Sequence, residues 1–179
     1  MADVLMDKRY SEATVADVAA LAHVSKRSFY EHFDNKEMCL LALCEHTSEH
    51  ILAVILQAYD PSKSWDQLVQ DVTRAYLQAI QASPALMHSL YVELFAAGRP
   101  GLEMRRAVGE RFADFLCSQV EMLRSQGHAL KSLGRLTAVA VVAGVNELIL
   151  QAFMDGQPHT VMDLADTCQA LVHAVTRAD

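Results

Sequence analysis

Apolar residues recur every three or four positions through most of the chain, which is the spacing of helices that bury one face. The pattern predicts helices at Ala2–Lys8, Val15–Ala22, Lys26–His32, Lys36–Ala58, Trp65–Ala82, Ser83 to about Gly98, Leu102–Gln126, Ser132–Met154 and Thr160–Arg177. Runs of alternating β-branched residues, which would indicate strands, do not occur. Helix-breaking residues lie between the segments, with Pro61 in the Tyr59–Ser64 turn and Gly127 after the seventh helix. We therefore predict an all-α fold of about nine helices.

The second and third predicted helices are short and lie close together in the sequence. Thr14 can cap the second helix, with Asp17 three residues later as the acidic partner of a capping box, and Ser25 can cap the third. Phe29 and Phe33 fall on the inward side of the third helix. Its outward side chains are Lys26, Arg27, Ser28, Tyr30 and His32. Two helices joined by three or four residues, with donors on the second, are typical of a helix-turn-helix for the DNA major groove.

The run AHVSKRSFYEHFDNKEMCLLAL resembles the N-terminal region of the tetracycline-repressor (TetR) family of transcriptional regulators. In that family a Val-Ser pair precedes a short helix with the pattern Thr/Ser-aromatic-Tyr-x-His-Phe, and a Lys-Glu pair starts the next helix. The family usually has glycine where this chain has His23 and Arg9. His23 is therefore expected to adopt the left-handed conformation of the turn at some cost. The resemblance covers the N-terminal quarter of the chain.

The resemblance implies a DNA-binding surface built on the second and third helices. Its predicted residues are Thr14, Lys26, Arg27, Ser28, Tyr30, His32 and Lys36. Thr14 is expected to contact a phosphate at the start of the second helix. The residues that begin the third helix are expected to face base edges, and the guanidinium of Arg27 matches guanine O6 and N7. Tyr30, His32 and Lys36 are expected to contact the DNA backbone.

The resemblance also implies a domain organisation and partners. Residues 1–45 would form the helix-turn-helix DNA-binding domain, and residues 46–179 the effector-binding and dimerisation domain. Family members dimerise through a four-helix bundle of the last two helices of each subunit, although the apolar faces of these helices also suit an intrachain core. A homodimer would read a double-stranded palindromic operator, because its two recognition helices can lie about 34–36 Å apart.

Large apolar residues between the fourth and eighth helices form the candidate ligand pocket. The predicted pocket residues are Trp65, Tyr76, Met87, His88, Tyr91, Phe95, Met104, Phe112, Phe115 and Asn146. Most residues of this kind belong to an ordinary core, but the resemblance implies that these helices enclose an effector cavity. Such cavities are mostly apolar with a few orienting polar groups. We therefore expect a small, largely apolar effector and no cofactor.

Charge is the feature that fits DNA binding least well. The chain has a formal net charge of −7, and residues 1–50 contain five Lys and Arg against nine Asp and Glu. DNA-binding domains usually present a basic surface. Here the positive charges cluster locally at Lys26, Arg27 and Lys36. We expect a modest affinity that falls steeply with salt and a specificity that depends on few contacts.

Composition also bears on location. The four cysteines form no C-x-x-C pair, which favours free thiols in a reducing cytoplasm. Met1–Tyr10 is charged and lacks the apolar segment of a signal peptide. The most hydrophobic stretch, Leu136–Met154, contains Asn146, Glu147 and Gln151, which argues against a membrane span. We therefore expect a cytoplasmic protein.

The sequence thus predicts a ligand-responsive DNA-binding regulator, most simply a repressor, and it leaves two alternatives open. The acidic N-terminal region and the short first helix also fit a ligand-binding or scaffold dimer that has lost DNA binding. Alternatively, His46, Glu49 and His50 match the H-x-x-E-H pattern of a zinc-dependent hydrolase. Because a catalytic zinc needs a third protein ligand and an open cleft, we expect these residues to be surface side chains instead.

Overall fold

The computed structural model describes residues 1–60 and 62–177, so the predicted break at Pro61 lies outside the described residues. The helices are α1 (Ala2–Asp7), α2 (Val15–Leu21), α3 (Lys26–His32), α4 (Lys36–Ala58), α5 (Trp65–Gln81), α6 (Pro84–Tyr91), α7 (Gly98–Ser125), α8 (Arg135–Met154) and α9 (Ala165–Thr176). Short 3-10 segments at Glu93–Ala97 and Pro158–Leu164 precede α7 and α9. The described residues contain no β-strand. The all-α prediction is confirmed.

Side-chain caps explain where several helices begin. Thr14 and Asp17 form the predicted capping box of α2, in which each side chain pairs with the other residue's backbone amide. Ser25 caps α3 by accepting from the amide of Ser28, and Asn35 caps α4 in the same way. Each cap satisfies an amide that the first helical turn leaves without a backbone partner. The N-terminal boundaries of α2, α3 and α4 were therefore predictable from local sequence.

The predicted break around Gly98–Gly101 was wrong, because these residues form the first turn of α7. Pro100 is the third residue of that helix, where a missing amide hydrogen costs no intrahelical bond. The Glu93–Ala97 segment, predicted as the end of the sixth helix, is instead a 3-10 turn. Gly98 has a φ of 61°, so the chain changes direction at the position where glycine is favoured.

The start of the predicted ninth helix also differs from the structure. Pro158–Leu164 forms a 3-10 segment, and the α-helix begins only at Ala165. The far end of α9 is held by Thr176, which is fully buried. Its hydroxyl accepts a hydrogen bond from Trp65 Nε1 at 3.0 Å and donates to the carbonyl of Val172 at 2.7 Å. This contact fixes α9 against the start of α5.

Two hydrophobic cores share helix α4. The smaller core lies in the N-terminal region and consists of Val4, Ala13, Val18, Phe29 and Cys39. The larger core runs through the helical body and includes Leu40, Ile51, Leu77, Ile80 and Ile149. Leu5 and Tyr10 also belong to the larger core. The α1 helix therefore packs into the C-terminal body, and the predicted boundary at residue 45 falls within a helix that serves both cores.

Helices α4 and α8 are both long and apolar enough to cross a membrane, with mean hydropathies of 1.4 and 1.7. Core helices of soluble proteins meet the same criteria. Only 28% of the apolar window of α8 is buried within the chain, and its surface includes Leu136 and Met154, which are 82% and 67% exposed. Such an exposed apolar surface is characteristic of a protein or membrane contact.

The turn between α2 and α3 adopts the predicted left-handed conformation, with His23 at a φ of 54°. We expect His23→Gly to raise the free energy of unfolding by about 0.5–1 kcal/mol, because glycine adopts this φ without steric cost. Urea unfolding followed by circular dichroism measures the change. Ala22→Gly is the matched control, since Ala22 has a φ of −79° and should lose about the same amount. Equal losses in both variants would contradict the strain at His23.

Candidate nucleic-acid interface and effector cavity

The α3 helix presents its polar side to solvent. Lys26, Arg27, Tyr30 and His32 are exposed, and Ser28 is half-buried. Phe29 is 4% exposed and belongs to the smaller core, with its ring 5.5 Å from that of Phe33. The helix is therefore held by its aromatic side, as predicted, and its charged side is free of the protein body.

Arg27 is a highly accessible cation of this surface. Its side chain is 90% exposed, and its only polar contact in the described residues is a 3.3 Å ion pair with Glu31, one turn further along α3. Exposed pairs of this type are weak. The guanidinium can therefore leave Glu31 for a base edge at low cost.

Thr14 is already engaged by its own helix. Its hydroxyl donates to Asp17 Oδ2 at 2.7 Å, and Lys8 Nζ donates to Asp17 Oδ1 at 2.8 Å. Hydrogen bonds from Lys8 and from Thr14 lower the pKa of Asp17 to about 2, so this carboxylate stays charged at neutral pH. A phosphate contact by Thr14, as predicted, would have to form beside that negative charge.

The Lys36 ammonium points to backbone carbonyls of its own chain, whereas a phosphate contact would require it to point to solvent. Its ammonium donates to the carbonyls of Tyr10 at 3.0 Å and Ala13 at 2.9 Å, with that of Ser11 at 3.5 Å. The same ammonium lies 4.6 Å from the centre of the Tyr10 ring. Because a lysine has three donors, these contacts occupy all of them. We therefore assign Lys36 to the folding of the α1–α2 connection and no longer expect it to contact DNA.

A cavity lies between α4, α6, α7 and α8, in the body of the protein. Its volume is about 70 Å³, and it is lined by Cys44, Thr47, Ser48, Ile51, Tyr76, Met87, Leu90, Tyr91, Leu94, Arg105, Val108, Phe112 and Asn146. A second cavity of about 120 Å³ shares Tyr76, Phe112 and Asn146 with the first. It continues between α5, α7, α8 and α9, where Phe115, Val141 and Val172 make it almost wholly apolar. We call these the inner and the apolar cavity.

Three polar side chains meet where the two cavities join. The Tyr76 and Tyr91 hydroxyls are 2.9 Å apart, and they lie 3.0 and 3.2 Å from Asn146 Oδ1. Two hydroxyl protons can satisfy only two of these three contacts. Burial raises the pKa of Tyr91 to about 12 and that of Tyr76 well above its ordinary value, so both stay neutral donors. The cluster is a neutral polar patch in an apolar surround.

The cavities include most of the predicted pocket residues. Tyr76, Met87, Tyr91, Phe112 and Asn146 line the inner cavity, and Phe115 lines the apolar cavity. Trp65 lines a third, smaller cavity beyond it. The remaining predictions, His88, Phe95 and Met104, line none of these three cavities. Phe95 is 43% exposed, and Met104 packs against the larger core.

Two groups of lining residues were missed from the sequence. One is the α4 segment from Cys44 to Ile51, which forms a wall of the inner cavity. The other is Arg105, the only ionisable base in that lining. It precedes Val108 and Phe112 by three and seven residues, so helical periodicity places a cation on the inward side of α7. This spacing was the sequence signal from which Arg105 could have been predicted to line the cavity.

The inner cavity touches the two elements that hold the N-terminal region. The α4 helix continues from the cavity wall into the smaller core at Cys39. On the opposite side, Leu90, Tyr91 and Leu94 line the cavity, while Glu93 accepts a hydrogen bond from the backbone amide of Tyr10 at 2.8 Å. A ligand that displaces either wall therefore moves an element attached to the α1–α3 unit.

The H-x-x-E-H residues lie on the surface of α4. His46, Glu49 and His50 are exposed, and Glu49 lies 3.7 Å from Arg111 Nη1. No group of three or more potential metal ligands occurs among the described residues. The described residues therefore give no support to a zinc site built on His46, Glu49 and His50.

Residues 2–43 match the family model for bacterial regulatory proteins of the tetR family. The chain has the N-terminal domain of the TetR family. The match spans α1 to α3 and the first third of α4, which are the elements that expose the Lys26–His32 surface. The resemblance inferred from the sequence is thereby confirmed, and this TetR domain is that of a DNA-binding transcriptional regulator. No protein of curated function gives a significant sequence match.

Solved structures share the fold of the TetR domain and of the body behind it. A proposed TetR-family transcriptional regulator from Syntrophomonas wolfei str. Goettingen has a TM-score of 0.71 at 19% identity, over 94% of this chain and 90% of that one. The fatty acid degradation regulator FadR from Bacillus halodurans has a TM-score of 0.72 at 17% identity, over 96% and 89%. The superantigen PfiT has a TM-score of 0.68 at 20% identity, over 99% and 93%. At these identities the similarity extends to fold alone.

Proposed function

We propose that the protein is a homodimeric, cytoplasmic transcriptional repressor that a small molecule releases from its operator. The observation that carries the proposal is the α3 surface. The helix exposes Lys26, Arg27, Tyr30, Glu31 and His32 on a TetR domain in which Phe29 is buried. A cavity in the same chain adjoins the helices that hold this domain.

DNA reading rests on fewer residues than the sequence implied. We assign Lys26, Arg27 and Ser28, at the start of α3, to base edges in the major groove, supported by the exposure of Lys26 and Arg27. Tyr30 and His32 are exposed further along the helix and are assigned to the phosphate backbone. Because few cations take part, the logarithm of the affinity should fall with the logarithm of the salt concentration with only a modest slope.

The α8 surface supports the dimer. Leu136, Ala140 and Ala143 are exposed at spacings of four and three residues, and Met154 is exposed three turns further along the same side, beyond Glu147 and Gln151. They form one stripe along the helix. On α9, Ala170 and Ala174 are also exposed. Small residues let two helices pack closely, and a twofold axis across α8 and α9 would bury the stripe. We assign residues 46–179 to effector binding and dimerisation, with α4 as the connection.

Release follows from the shared walls of the inner cavity. An effector that binds preferentially to the DNA-incompetent state shifts the population toward that state. Occupation of the cavity would push on Cys44–Ile51 of α4 and on the Leu90–Leu94 wall, which holds Tyr10 through Glu93. Both movements would reorient α1–α3, so that the two recognition helices no longer fit successive major grooves.

Selection from random duplexes at low salt tests the proposal, and Arg27→Ala tests its central residue. We expect wild-type protein to enrich a palindrome and Arg27→Ala to lose about 1–3 kcal/mol of binding with relaxed preference at one position per half-site. The matched control is Arg99→Ala, because Arg99 is 89% exposed and also pairs with a glutamate one turn later. Equal loss on all sequences would make Arg27 a phosphate contact. No enrichment would reject the regulator.

A second candidate function is a ligand-binding or scaffold dimer without an operator. The engagement of Thr14 by Asp17 and of Lys36 by backbone carbonyls favours it, because both remove donors expected to contact phosphate. Failure of the selection together with an intact dimer is the result that would support this candidate.

A further inference from the structure

Arg105 differs from the other arginines of α7 in having no acidic partner within residues 1–60 and 62–177. The four others each pair with glutamate: Arg99 with Glu103, Arg106 with Glu110, Arg111 with Glu45 and Glu49, and Arg124 with Glu121. Among the described residues, the recorded contact of the Arg105 guanidinium is the Phe95 ring, 5.0 Å away. The residues three and four positions from it on α7 are Gly101, Leu102, Val108 and Gly109, none of which is acidic.

This unpaired cation lies at the mouth of the effector cavity. Arg105 and Asn146 line the inner cavity and also an open groove of about 320 Å³ between α7 and α8. One wall of the groove includes Ala143 of the exposed α8 stripe, and Arg105 and Asn146 stand between the groove and the cavities. Beyond them come the Tyr76 and Tyr91 hydroxyls and then the apolar cavity. A molecule entering from the groove would pass the charge first and reach the apolar walls last.

No neighbouring group of the inner cavity can neutralise Arg105. Its lining contains no aspartate or glutamate. Tyr76, Tyr91 and Cys44 remain protonated, since burial raises the pKa of Tyr91 to about 12 and that of Cys44 to about 11. Asn146 turns Oδ1 toward the tyrosines, and its Nδ2 makes no hydrogen bond within the described residues. The groove is also lined by Glu110, but this carboxylate pairs with Arg106 at 2.8 Å and with Arg135 at 3.6 Å. Among the described residues, the guanidinium of Arg105 and the side-chain amide of Asn146 therefore have no acidic partner.

We propose that the effector is an apolar carboxylate whose head group binds Arg105 and Asn146 and whose hydrocarbon part fills the apolar cavity. The proposal rests on the ligand-release function above and specifies its ligand. A carboxylate accepts two parallel hydrogen bonds from a guanidinium, and such charge-assisted bonds are among the strongest in proteins. At one water-sized group per 10–15 Å³, the cavities of about 70 and 120 Å³ suit a molecule of on the order of ten non-hydrogen atoms.

Calorimetric titration of the DNA-free protein tests the site directly. The probes are octanoate and 4-phenylbutyrate, and their uncharged counterparts are 1-octanol and 4-phenyl-1-butanol. Both carboxylates should bind wild type at least about tenfold more tightly than the alcohols, because hydrogen bonds to a charged group are worth roughly a factor of ten or more. Arg105→Met should remove this preference. Arg99→Met is the control, since Arg99 is exposed, pairs with Glu103 and lines neither the inner cavity nor the groove, and it should retain the preference.

Asn146→Asp gives a second test that keeps the acceptor for the tyrosine hydroxyls. It replaces the free amide donor with a carboxylate that supplies the missing anion to Arg105, so carboxylate binding should be lost while the fold, checked by circular dichroism, persists. The proposal is overturned if neither carboxylate binds wild type, if alcohols bind equally well, or if Arg105→Met retains the preference. Carboxylate binding that leaves operator affinity unchanged would instead reject ligand release and retain the site. Release of the operator by an alcohol and not by a carboxylate would support ligand release and reject the carboxylate site.

Discussion

Replacing Ala140 with glutamate should convert the dimer to monomers and weaken operator binding about 10²–10⁴-fold, the advantage gained when two linked sites bind together. Ala140 lies between Leu136 and Ala143 on the exposed stripe of α8. In a symmetric interface each subunit would bury an unpaired carboxylate there, at a cost that close helix packing does not offset. Analytical ultracentrifugation measures the mass, and fluorescence anisotropy with a selected palindrome measures the affinity.

Ala53→Glu is the control for this substitution. Ala53 is exposed on α4, away from the α8 stripe, so its variant should remain dimeric and bind DNA as wild type does. The thermal midpoint of the Ala140→Glu monomer should be compared at several concentrations, because only the wild type should show concentration dependence. A variant that stays dimeric with full affinity would place the interface elsewhere. A monomer with full affinity would show that one recognition helix suffices.

Replacing Gly101 with alanine should lower the free energy of unfolding by about 3 kcal/mol, at the upper end of the range for overpacking. A Cβ at this position would overlap the carbonyl oxygen of Leu94 and lie 3.1 Å from the Cβ of Ala97. The obstacle is backbone, so a rotamer change cannot relieve it. Leu94 lines the inner cavity, and a shifted segment would also disturb the Glu93 contact to Tyr10. Urea unfolding provides the measurement.

Gly109→Ala is the matched control on the same helix. An added Cβ at Gly109 meets no atom within 4 Å, so alanine should stabilise α7 by about 0.5–1 kcal/mol through its better helix propensity. The two glycine-to-alanine changes are therefore expected to differ in sign. If both stabilise the protein, the close approach of α7 to the Glu93–Ala97 segment is wrong.

Local sequence was sufficient for the helices whose ends have side-chain caps. Thr14, Ser25 and Asn35 each place an oxygen on an unpaired amide, and α2, α3 and α4 begin where these residues indicate. The boundary of α7 could not be obtained in this way. Gly98, Pro100 and Gly101 indicate a break, yet all three lie in the first turn of α7. Position 101 is glycine because the helix approaches the Leu94 backbone so closely that no larger residue fits. Tertiary contact overrode local propensity at that point.

The candidate sites divide in a similar way. The predicted DNA-reading surface could be taken from Lys26–His32 alone, because helical periodicity separates Phe29 from Lys26 and Arg27. The sequence could not show which of these side-chain donors are free to contact DNA. Lys36 looked free in the sequence, and only the folded chain directs its ammonium to carbonyls more than twenty residues away. The cavity likewise depends on distant partners, since Tyr76, Tyr91 and Asn146 meet from α5, α6 and α8.

The sequence by itself determined the all-α class, the TetR domain and the polar side of its third helix, since periodicity, caps and a short motif are local properties. The tertiary structure alone decided which charged side chains make intramolecular contacts and which remain available to bind a partner or a ligand. Lys36 donates its hydrogen bonds to backbone carbonyls, whereas Arg105 has no acidic partner among the described residues and lines the inner cavity. The interaction energy of a charged group depends on the groups and the dielectric medium around it in space. Those surroundings are set by residues that are distant along the chain.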